Sequence, residues 1–477
     1  MSKRLLFFIH CLFFSAALFV SCGPQVPTQY DEVDALPKIY PDYVDVTIPV
    51  NIAPPTFVLD EEADEMIARY SVGSGSPAAA IDIVCRDKMQ PAIDDWRELV
   101  QAALAGGQAQ AGEAKGGDIQ ADVYARHGDR WTHYRPFNIH VSPDSIDPWL
   151  SYRLIPPSFI SYEALTINQR CLEDYDERVI YDNILCGLEK DGQCINCHSY
   201  QQYNPERMQF HARQSHGGTI IAYDIDSGEV MNIENDPDEL EVFPAWSPDG
   251  RTLYYCSAHF VRNEAIKDAS TDVVSRIDSL QYHLYRKTFD PETKTFGPCE
   301  RLRVKSLELR DVTSEDTSKV SQPSTLNSQL SLVLPRISPD GRYLLFTTGC
   351  HGYFHIWHHD ADLWMLDLKS GEARPLDEVN SPDTESYHTW SSSGRWIVFS
   401  SRRDDGLFTR PFFAHFDDNG RFGKPFELPS ADPLYHREML KSYNIPEFMH
   451  GPVTIDPHTF ASMLKGEGEP VKYKGKE

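Results

Sequence analysis

The sequence predicts a mainly β protein in which a β-propeller follows a small β-rich, sandwich-like domain and a short helical or irregular segment. Three similar segments carry the propeller prediction: FPAWSPDGRTLYYCSA from Phe243, LPRISPDGRYLLFTTG from Leu334 and YHTWSSSGRWIVFSSR from Tyr387. In SPDG, proline presets φ, aspartate bonds its own backbone and glycine takes a positive φ. Further hairpin signals such as DIDSGEV and LDLKSGEARP follow the copies. This rhythm is typical of four-stranded units stacked in a propeller, and a plain sandwich would not need the same turn repeatedly.

The N-terminal residues predict an export signal. A short basic start at Lys3 and Arg4 precedes an apolar run that ends at Ser21 and Cys22, too short for a membrane-spanning helix. The run LFVSC resembles a bacterial lipoprotein signal, in which Cys22 becomes the acylated first residue. The alternative is a conventional cleavage site near Cys22. The proline-rich segment GPQVPTQYDEVDALP favours the lipid anchor, because it is typical of a tether.

The composition argues against a protein that binds nucleic acid. The formal net charge is -26 over 477 residues, and such a surface repels phosphate backbones and anionic lipid surfaces. We therefore expect membrane contact only through the N-terminal lipid, and an envelope protein as partner. Six cysteines lie outside the signal, the anchor and the motif described below, and their even number permits disulfides without fixing a pairing: Cys85, Cys171, Cys186, Cys256, Cys299 and Cys350.

The residue pattern of 44–155 predicts a β-rich N-terminal domain. Apolar and polar residues alternate in short runs such as DVTIPVNI and YRPFNIHV. The segment AIDDWRELVQAAL predicts one helix, in which we expect Trp96 and Leu99 to serve packing.

The segment CINCH is the most specific motif of the chain. In c-type cytochromes, two cysteines at this spacing bind the vinyl groups of a haem, and the next histidine ligates the iron. Cys194 and Cys197 would form the thioethers, and His198 would be the proximal ligand. The alternative is a disulfide or metal-binding pair beside a histidine, although no second pair at zinc spacing and no βαβ pattern accompanies it. With an export signal present, the sequence favours haem c.

The distal haem ligand is predicted within NPERMQFHAR. Asn204 and Pro205 favour the start of a helical turn, on which Met208 and His211 would share a face. Because histidine binds iron tightly, we expect His211 as the sixth ligand and Met208 as the next candidate, with His216 leaving toward the propeller. Alternatively, Met208 and His211 both cover an apolar face.

A second histidine cluster lies in HGYFHIWHHDADLW. Its histidines could bind a transition metal, but exposed polar residues of a hairpin are the favoured interpretation. His388 stands where the other repeats carry Pro244 and Pro335, on the expected innermost strand.

The repeats resemble those of TolB-like propellers of the PD40, or WD40-like, type. The larger frame resembles a group of Bacteroidota lipoproteins in which a CxxCH segment precedes such a propeller. The resemblance runs through IDPWLSYRLIPPSF, INQRCLEDYDERVIYDN, CINCHSY with MQFHAR, FHIWHHDADLWMLD, and SYHTWSSSGRWIVFSSRRDDGLFTRPFF. It implies an envelope location and a haem, but no substrate. The expected domains are a signal peptide (1–21), a tether (22–43), the β-rich domain (44–155), the CxxCH segment (156–218), and the propeller with a C-terminal extension (219–477).

Two functional hypotheses follow. The first is a lipid-anchored envelope protein, on the periplasmic side of the outer membrane, whose c-type haem serves electron transfer or redox sensing and whose propeller binds a partner. The second is a haem-free propeller scaffold that binds an envelope protein or a glycan. An enzyme is disfavoured, because GxSxG, P-loop and HExxH motifs do not occur in the sequence.

Overall fold

The computed structural model describes most of the chain between residues 23 and 473. In the part that the structure describes, no helix has the length and apolar character needed to cross a membrane. The described residues are 23–73, 81–107, 116–156, 164–186, 195–212, 218–224, 229–233, 239–259, 263, 265–266, 280–305, 307, 330–350, 354–465, 469–470 and 472–473.

The N-terminal domain combines a seven-stranded sheet, a three-stranded sheet and one long helix. Its strands are β1 (Asp31–Glu32), β2 (Ile39–Tyr40), β3 (Thr47–Pro49), β4 (Phe57–Leu59), β5 (Glu65–Val72), β6 (Ile81–Arg86), β7 (Lys88–Met89), β8 (Gly117–His127), β9 (Arg130–His133) and β10 (Phe137–Ser142). The long strand β8 pairs with β5 along one edge and with β9 and β10 along the other. Strands β2, β4 and β7 form the small sheet. The expected bounds need correction: residues 31–40, expected in the tether, pair within this domain, and Trp149–Ile155, expected in this domain, pairs within the propeller.

Helix α1 (Ile93–Gly106) packs on the large sheet. Its buried residues Trp96, Leu99, Val100 and Ala103 recur at helical spacing and form one apolar face. The indole nitrogen of Trp96 donates to the backbone oxygen of Ile52 at 3.0 Å. The helix and the packing role of Trp96 and Leu99 are therefore confirmed.

The strands after the N-terminal domain build the propeller. In chain order they are β11 (Trp149–Ile155), β12 (Thr166–Cys171), β13 (Glu177–Asp182), β14 (Ile195–Tyr200), β15 (Met208–Ala212), β16 (Gly218–Asp224), β17 (Glu229–Ile233), β18 (Glu239–Trp246), β19 (Thr252–His259), β20 (His283–Asp290), β21 (Thr295–Arg301), β22 (Ser331–Ile337), β23 (Tyr343–Gly349), β24 (Asp362–Asp367), β25 (Ala373–Pro375), β26 (Glu385–Trp390), β27 (Trp396–Ser401), β28 (Arg410–His415), β29 (Phe426–Glu427) and β30 (Ser442–Met449).

These strands form five blades in the described part of the chain. Blade 1 is β14 to β17, blade 2 is β18 to β21, blade 3 is β22 to β25, and blade 4 is β26 to β29. Blade 5 joins β30 to β11, β12 and β13, so that strands from both ends of the propeller share one sheet. The innermost strands β14, β18, β22, β26 and β30 pack on one another in a ring. The antiparallel pairing of β11 with β30 thereby closes the propeller. The predicted fold class, a mainly β protein with a propeller after a β-rich domain, is confirmed.

Short elements complete the C-terminal half. Helix α2 (Tyr435–Glu438) precedes β30, and helix α3 (Pro457–Met463) packs on β13. The terminal strands β31 (Glu469–Pro470) and β32 (Lys472–Tyr473) add in parallel to the outer edges of blades 1 and 2. Elsewhere in the described residues, 3-10 turns cover Asn183–Cys186, Gln201–Tyr203 and His355–Trp357.

Every innermost strand carries a β-bulge at the same position. The bulge residue has a positive φ although it is never glycine: Cys197 (54°), Phe243 (56°), Leu334 (60°), Tyr387 (46°) and Ile445 (53°). The residue after it is proline in three blades (Pro244, Pro335, Pro446) and histidine in two (His198, His388). A bulge takes the extra residue out of the hydrogen-bond ladder, which is why proline fits there.

This register corrects the local prediction for the CxxCH segment. In its described residues the segment is mainly strand rather than helical or irregular, because Ile195–Tyr200 is the innermost strand of blade 1 and Met208–Ala212 is its second strand. The expected CxxCH segment, 156–218, instead contributes strands to blades 5 and 1. The sequence CHSYQ occupies the same bulged position as FPAWS in blade 2.

The N-terminal domain shares one apolar core with blade 4. Tyr43, Tyr70 and Trp96 lie in the same buried cluster as Trp396 and Phe413. The two parts therefore stabilise each other by burying a common apolar surface.

Candidate functional site

His198 lies fully buried on the innermost strand of blade 1. Its Nε2 atom is 2.8 Å from the hydroxyl of Ser151 in blade 5, and its Nδ1 atom has no hydrogen-bond partner among the described residues. Burial, followed by the positive charges of Arg153 and Arg336, lowers the pKa of His198 to about 3. The ring is therefore neutral at physiological pH and carries one N–H donor.

A buried ion pair crosses the propeller axis beside His198. Arg336 of blade 3 donates from Nη2 to Oε1 of Glu447 in blade 5 at 2.7 Å, and from Nε to the same oxygen at 3.1 Å. The two side chains are 8% and 7% exposed. Burial raises the pKa of Glu447, while Arg336 opposes that rise. Because blades 3 and 5 are not neighbours in the ring, this pair ties opposite sides of the axis together.

Arg153 brings a second positive charge to the same region. It lies on β11 of blade 5 and is 6% exposed. With the Asn444 amide oriented so that its nitrogen donates to Tyr443 and Thr409, its oxygen accepts from Nη2 of Arg153 at 3.0 Å. The Arg153 Cζ atom is 5.8 Å from the ring centre of Tyr387. Its Nε atom is buried without a partner, and no described carboxylate forms an ion pair with it. Arg153 is thus a nearly buried cation whose charge the described residues leave uncompensated.

His388 is the counterpart of His198 in blade 4. It is 1% exposed, and its ring lies near the backbones of Leu345 and Leu334, which favour the protonated form, although neither ring nitrogen meets full hydrogen-bond geometry. Burial, and secondarily the Arg336 charge, lowers the pKa of His388 to about 3. We refer to Arg153, His198, Arg336, His388 and Glu447 as the axial cluster.

The residues predicted to ligate a haem lie in separate surroundings in blade 1. Cys194 and His216 lie outside the described residues. Cys197 is partly buried and packs in the core that contains Cys256, whose pKa is raised by burial and by Cys197. Met208 is fully buried in an apolar cluster with Ile195 and Phe210.

His211 is described only through its backbone, which pairs with Asn196 and Thr219. Met208 and His211 stand three apart on one strand, where alternate residues share a face. The prediction that a helical turn presents both on one side is therefore wrong. Asn204 instead caps a turn by accepting from the backbone nitrogen of Glu206 at 3.0 Å.

The described surroundings of His198 do not fit a haem. The ring is enclosed by the propeller, its Nε2 atom already contacts Ser151, and Tyr200 packs edge-on at 6.1 Å between ring centres. Haem attachment to Cys194, Cys197 and His198 stays a prediction, which these contacts do not favour.

Sequence reasoning missed the axial charges. Arg336 and Glu447 stand two residues after the bulge of their strands, in LPRI and IPEF, where Ser199, Ala245 and Thr389 stand in the other blades. Matching IPEFM to the SPDG repeats would have shown an arginine and a glutamate at one repeat position. No sequence signal places Arg153 beside them, because blade 5 combines distant parts of the chain.

The second histidine cluster lies at the edge of blade 3. His355 begins a 3-10 turn rather than a strand, and His359 is exposed, with Nδ1 at 2.9 Å from Asp383. Burial and neighbouring carboxylates, first among them Glu385, raise the pKa of Asp362 to about 6. Within the described ranges, no group of three or more histidine, cysteine or acidic residues is arranged to hold a metal ion.

Serine, histidine and aspartate also meet where the N-terminal domain contacts blade 4. Asp144 accepts from Nε2 of His415 at 2.9 Å and from Arg395 at 3.0 Å. The Ser142 hydroxyl lies 3.3 Å from the same Nε2 atom. A catalytic triad needs serine and aspartate on different ring nitrogens, so this cluster serves as an interdomain contact.

A buried acid and base pair lies in the same interface. His436 of α2 places Nδ1 at 2.5 Å from Oε1 of Glu427, and the two side chains are 1% and 2% exposed. The Tyr43 hydroxyl donates to the backbone oxygen of Glu427 at 3.2 Å. Burial raises the pKa of Glu427 to about 7, and burial lowers that of His436.

Comparison with known proteins gives distant structural likenesses. No family model and no curated protein matches the chain. An oligogalacturonate lyase in complex with manganese is 14% identical, with a TM-score of 0.28, over 59% of this chain and 61% of that one. The β-propeller domain of the Trilobed protease from Pyrococcus furiosus is 12% identical, with a TM-score of 0.26, over 66% and 83%. Prolyl oligopeptidase B from Galerina marginata is 10% identical, with a TM-score of 0.24, over 50% and 31%. At these values, no conclusion on activity follows for this chain.

Proposed function

We propose that this protein is a haem-free binding propeller, tethered by a lipid on Cys22 in the bacterial cell envelope, on the periplasmic side of the outer membrane. Its partner is an envelope protein or a glycan. The observation that carries the proposal is the position of His198, which is fully buried on an innermost strand where three other blades carry proline. A residue that belongs to the repeat of the propeller needs no haem to explain it.

The export signal and Cys22 support the tether, and the net charge of -26 supports a contact with the membrane through lipid alone. Replacing Cys22 by alanine should release the exported chain from the membrane fraction. Continued membrane partition of the variant would place the anchor elsewhere.

The deciding experiment is expression of the full chain, with its own signal, in a host that matures c-type cytochromes. We expect a protein mass without a haem increment and a denatured sample without a Soret band. A c-type cytochrome expressed in parallel shows that the host attaches haem. A Soret band that survives denaturation, together with the mass increment, would overturn the proposal.

The second candidate function is electron transfer or redox sensing through a haem c. The CINCH motif after an export signal favours it. The same mass and absorption measurements decide between the two functions, because only the second requires a covalent haem.

A further inference from the structure

We infer that Arg153 and His198 bind a small monovalent carboxylate at the propeller axis. This inference deepens the proposed function and rests on it, because a haem on His198 would occupy the same position.

Arg153 carries a buried charge that no described residue balances. Removing a guanidinium from water costs several kcal/mol unless a counter-charge and hydrogen bonds replace the solvent. Arg336 has such a partner in Glu447 at 2.7 Å, whereas Arg153, at 6% exposure, has an amide oxygen and an aromatic ring. The chain has 71 acidic residues, and yet no described one pairs with Arg153. An anion from outside the chain would supply the missing partner.

Two buried nitrogen atoms in the region of this charge have no hydrogen-bond partner among the described residues. The Nε atom of Arg153 and the Nδ1 atom of His198 are both buried without a partner. When the hydroxyl of Ser151 donates to Nε2 of His198, the remaining ring proton resides on Nδ1 and can be donated to a ligand. Asn444 holds the Nη2 atom of Arg153 and so orients the guanidinium plane. Ser151, which contacts His198, stands two residues from Arg153 on β11, so these donors and one positive charge lie in one region of the axis.

The donor set selects the class of ligand. A carboxylate matches the planar fork of a guanidinium with two parallel hydrogen bonds, and it carries the single charge that Arg153 leaves open. A phosphate dianion would leave a buried negative charge, and a metal cation would be repelled. The small exposed fraction of Arg153 restricts the ligand to a compact acid.

The test uses sodium acetate as the probe, with sodium chloride and sodium phosphate at equal ionic strength. We expect acetate to raise the melting temperature of the haem-free protein with a saturable concentration dependence, which neither other salt produces. Arg153→Met should abolish the effect. His198→Phe should weaken acetate binding by about tenfold or more, because a hydrogen bond to a charged group is lost. Arg86→Met, which removes an exposed arginine of the N-terminal sheet, should retain the effect.

A second measurement does not depend on the folding of any variant. Titration of the wild-type protein into carbon-13-labelled acetate should broaden the carboxylate resonance at substoichiometric protein. Arg153→Lys keeps the charge without the fork and should bind more weakly than the wild type.

Three outcomes would overturn the inference. They are the absence of broadening with folded wild type, an equal effect of chloride, and an undiminished acetate effect in folded Arg153→Met. A covalent haem in the purified protein would instead refute the proposed function, so the two failures are distinguishable by absorption alone.

Discussion

The propeller axis and the interface between blade 4 and the N-terminal domain both hold buried or partly buried ionisable side chains, but they complete their pairs differently. At the interface, Glu427 contacts His436 at 2.5 Å, and Asp144 contacts Arg395 at 3.0 Å. At the axis, Arg336 is paired with Glu447, whereas Arg153 forms no ion pair with a described residue.

The interface therefore joins two parts of the molecule, whereas the axis can receive a ligand. The interface pairs are extensions of a shared apolar core that contains residues of both parts. At the axis, an ion pair connects blades 3 and 5, which are not neighbours in the ring. The cation of Arg153 has no counter-charge there. Removing one partner of a completed pair leaves a buried charge and destabilises the fold, while an incomplete pair is a place where a ligand can contribute the missing charge.

The largest expected effect comes from breaking the completed axial pair. Arg336→Met should lower the free energy of unfolding by about 3–5 kcal/mol, because Glu447 would remain buried without its partner. Chemical denaturation measures this change. The double variant Arg336→Met, Glu447→Gln should recover part of the loss. A loss below about 1 kcal/mol would show that the pair is not a buried contact in solution.

Arg153→Met, the matching substitution at the unpaired cation, should not lower the free energy of unfolding. Without carboxylate ligands, Arg153→Met removes a nearly buried charge without stranding a carboxylate, so we expect unchanged or increased stability in the same denaturation experiment. A loss as large as that of Arg336→Met would mean that Arg153 has a structural partner.

The interface pair predicts a pH dependence. The pKa of Glu427 is raised from 4.5 to about 7 by burial, so the folded state holds this proton more tightly than the unfolded chain. Its contribution is fully present below pH 4.5 and is lost as the pH rises to about 7, by on the order of 3 kcal/mol. Glu427→Gln should make the stability profile less steep between these pH values, and Asp404, whose pKa burial also raises to about 7, should supply the remaining slope.

A substitution in the adjacent helix α2 serves as the control for this pH dependence. Glu438 is exposed, and Glu438→Gln should leave the profile unchanged. If the wild-type profile is already flat between pH 4.5 and 7, then Glu427 is not titrating as its burial implies.

We expect smaller losses of stability from substitutions in two equivalent turns of the propeller, and these losses should differ in size. Gly250 and Gly341 have φ values of 66° and 71°, as the SPDG turns predict. Valine at either position should cost about 1 kcal/mol or more, because a β-branched residue resists positive φ. Gly250→Val should cost more, since its Cβ would lie 2.6 Å from Gln201 of blade 1, while Gly341 has open space. Equal melting of both variants and wild type would contradict the assigned turn.

The smallest change in stability is expected for proline substitutions of the two axial histidines, His198 and His388. His388→Pro places in blade 4 the residue that three blades already carry, so we expect a change within about 1 kcal/mol. His198→Pro should cost roughly 1 kcal/mol more, because the contact with Ser151 is lost. Thermal unfolding compares the pair, and a reversed order would show that the Ser151 contact contributes nothing.

The sequence alone was sufficient for the fold class and for several local structures. The recurring SPDG turns predict the hairpins, because glycine and proline restrict the backbone within a few residues. The periodicity of AIDDWRELVQAAL predicts α1 and its buried Trp96 and Leu99, because one helix face must meet the core. These features depend on neighbours along the chain, so they can be inferred without coordinates.

The tertiary structure decided what the axial residues do. CINCH has the spacing of a haem motif, but the bulge at Cys197 and the pairing of Ser199 with Gln209 place His198 in a closed ring of strands. Ser151 and Arg153 reach that ring only because β11 pairs with β30, nearly 300 residues later in the chain. Burial and long-range pairing set the charge and partners of these side chains, and no local pattern encodes either.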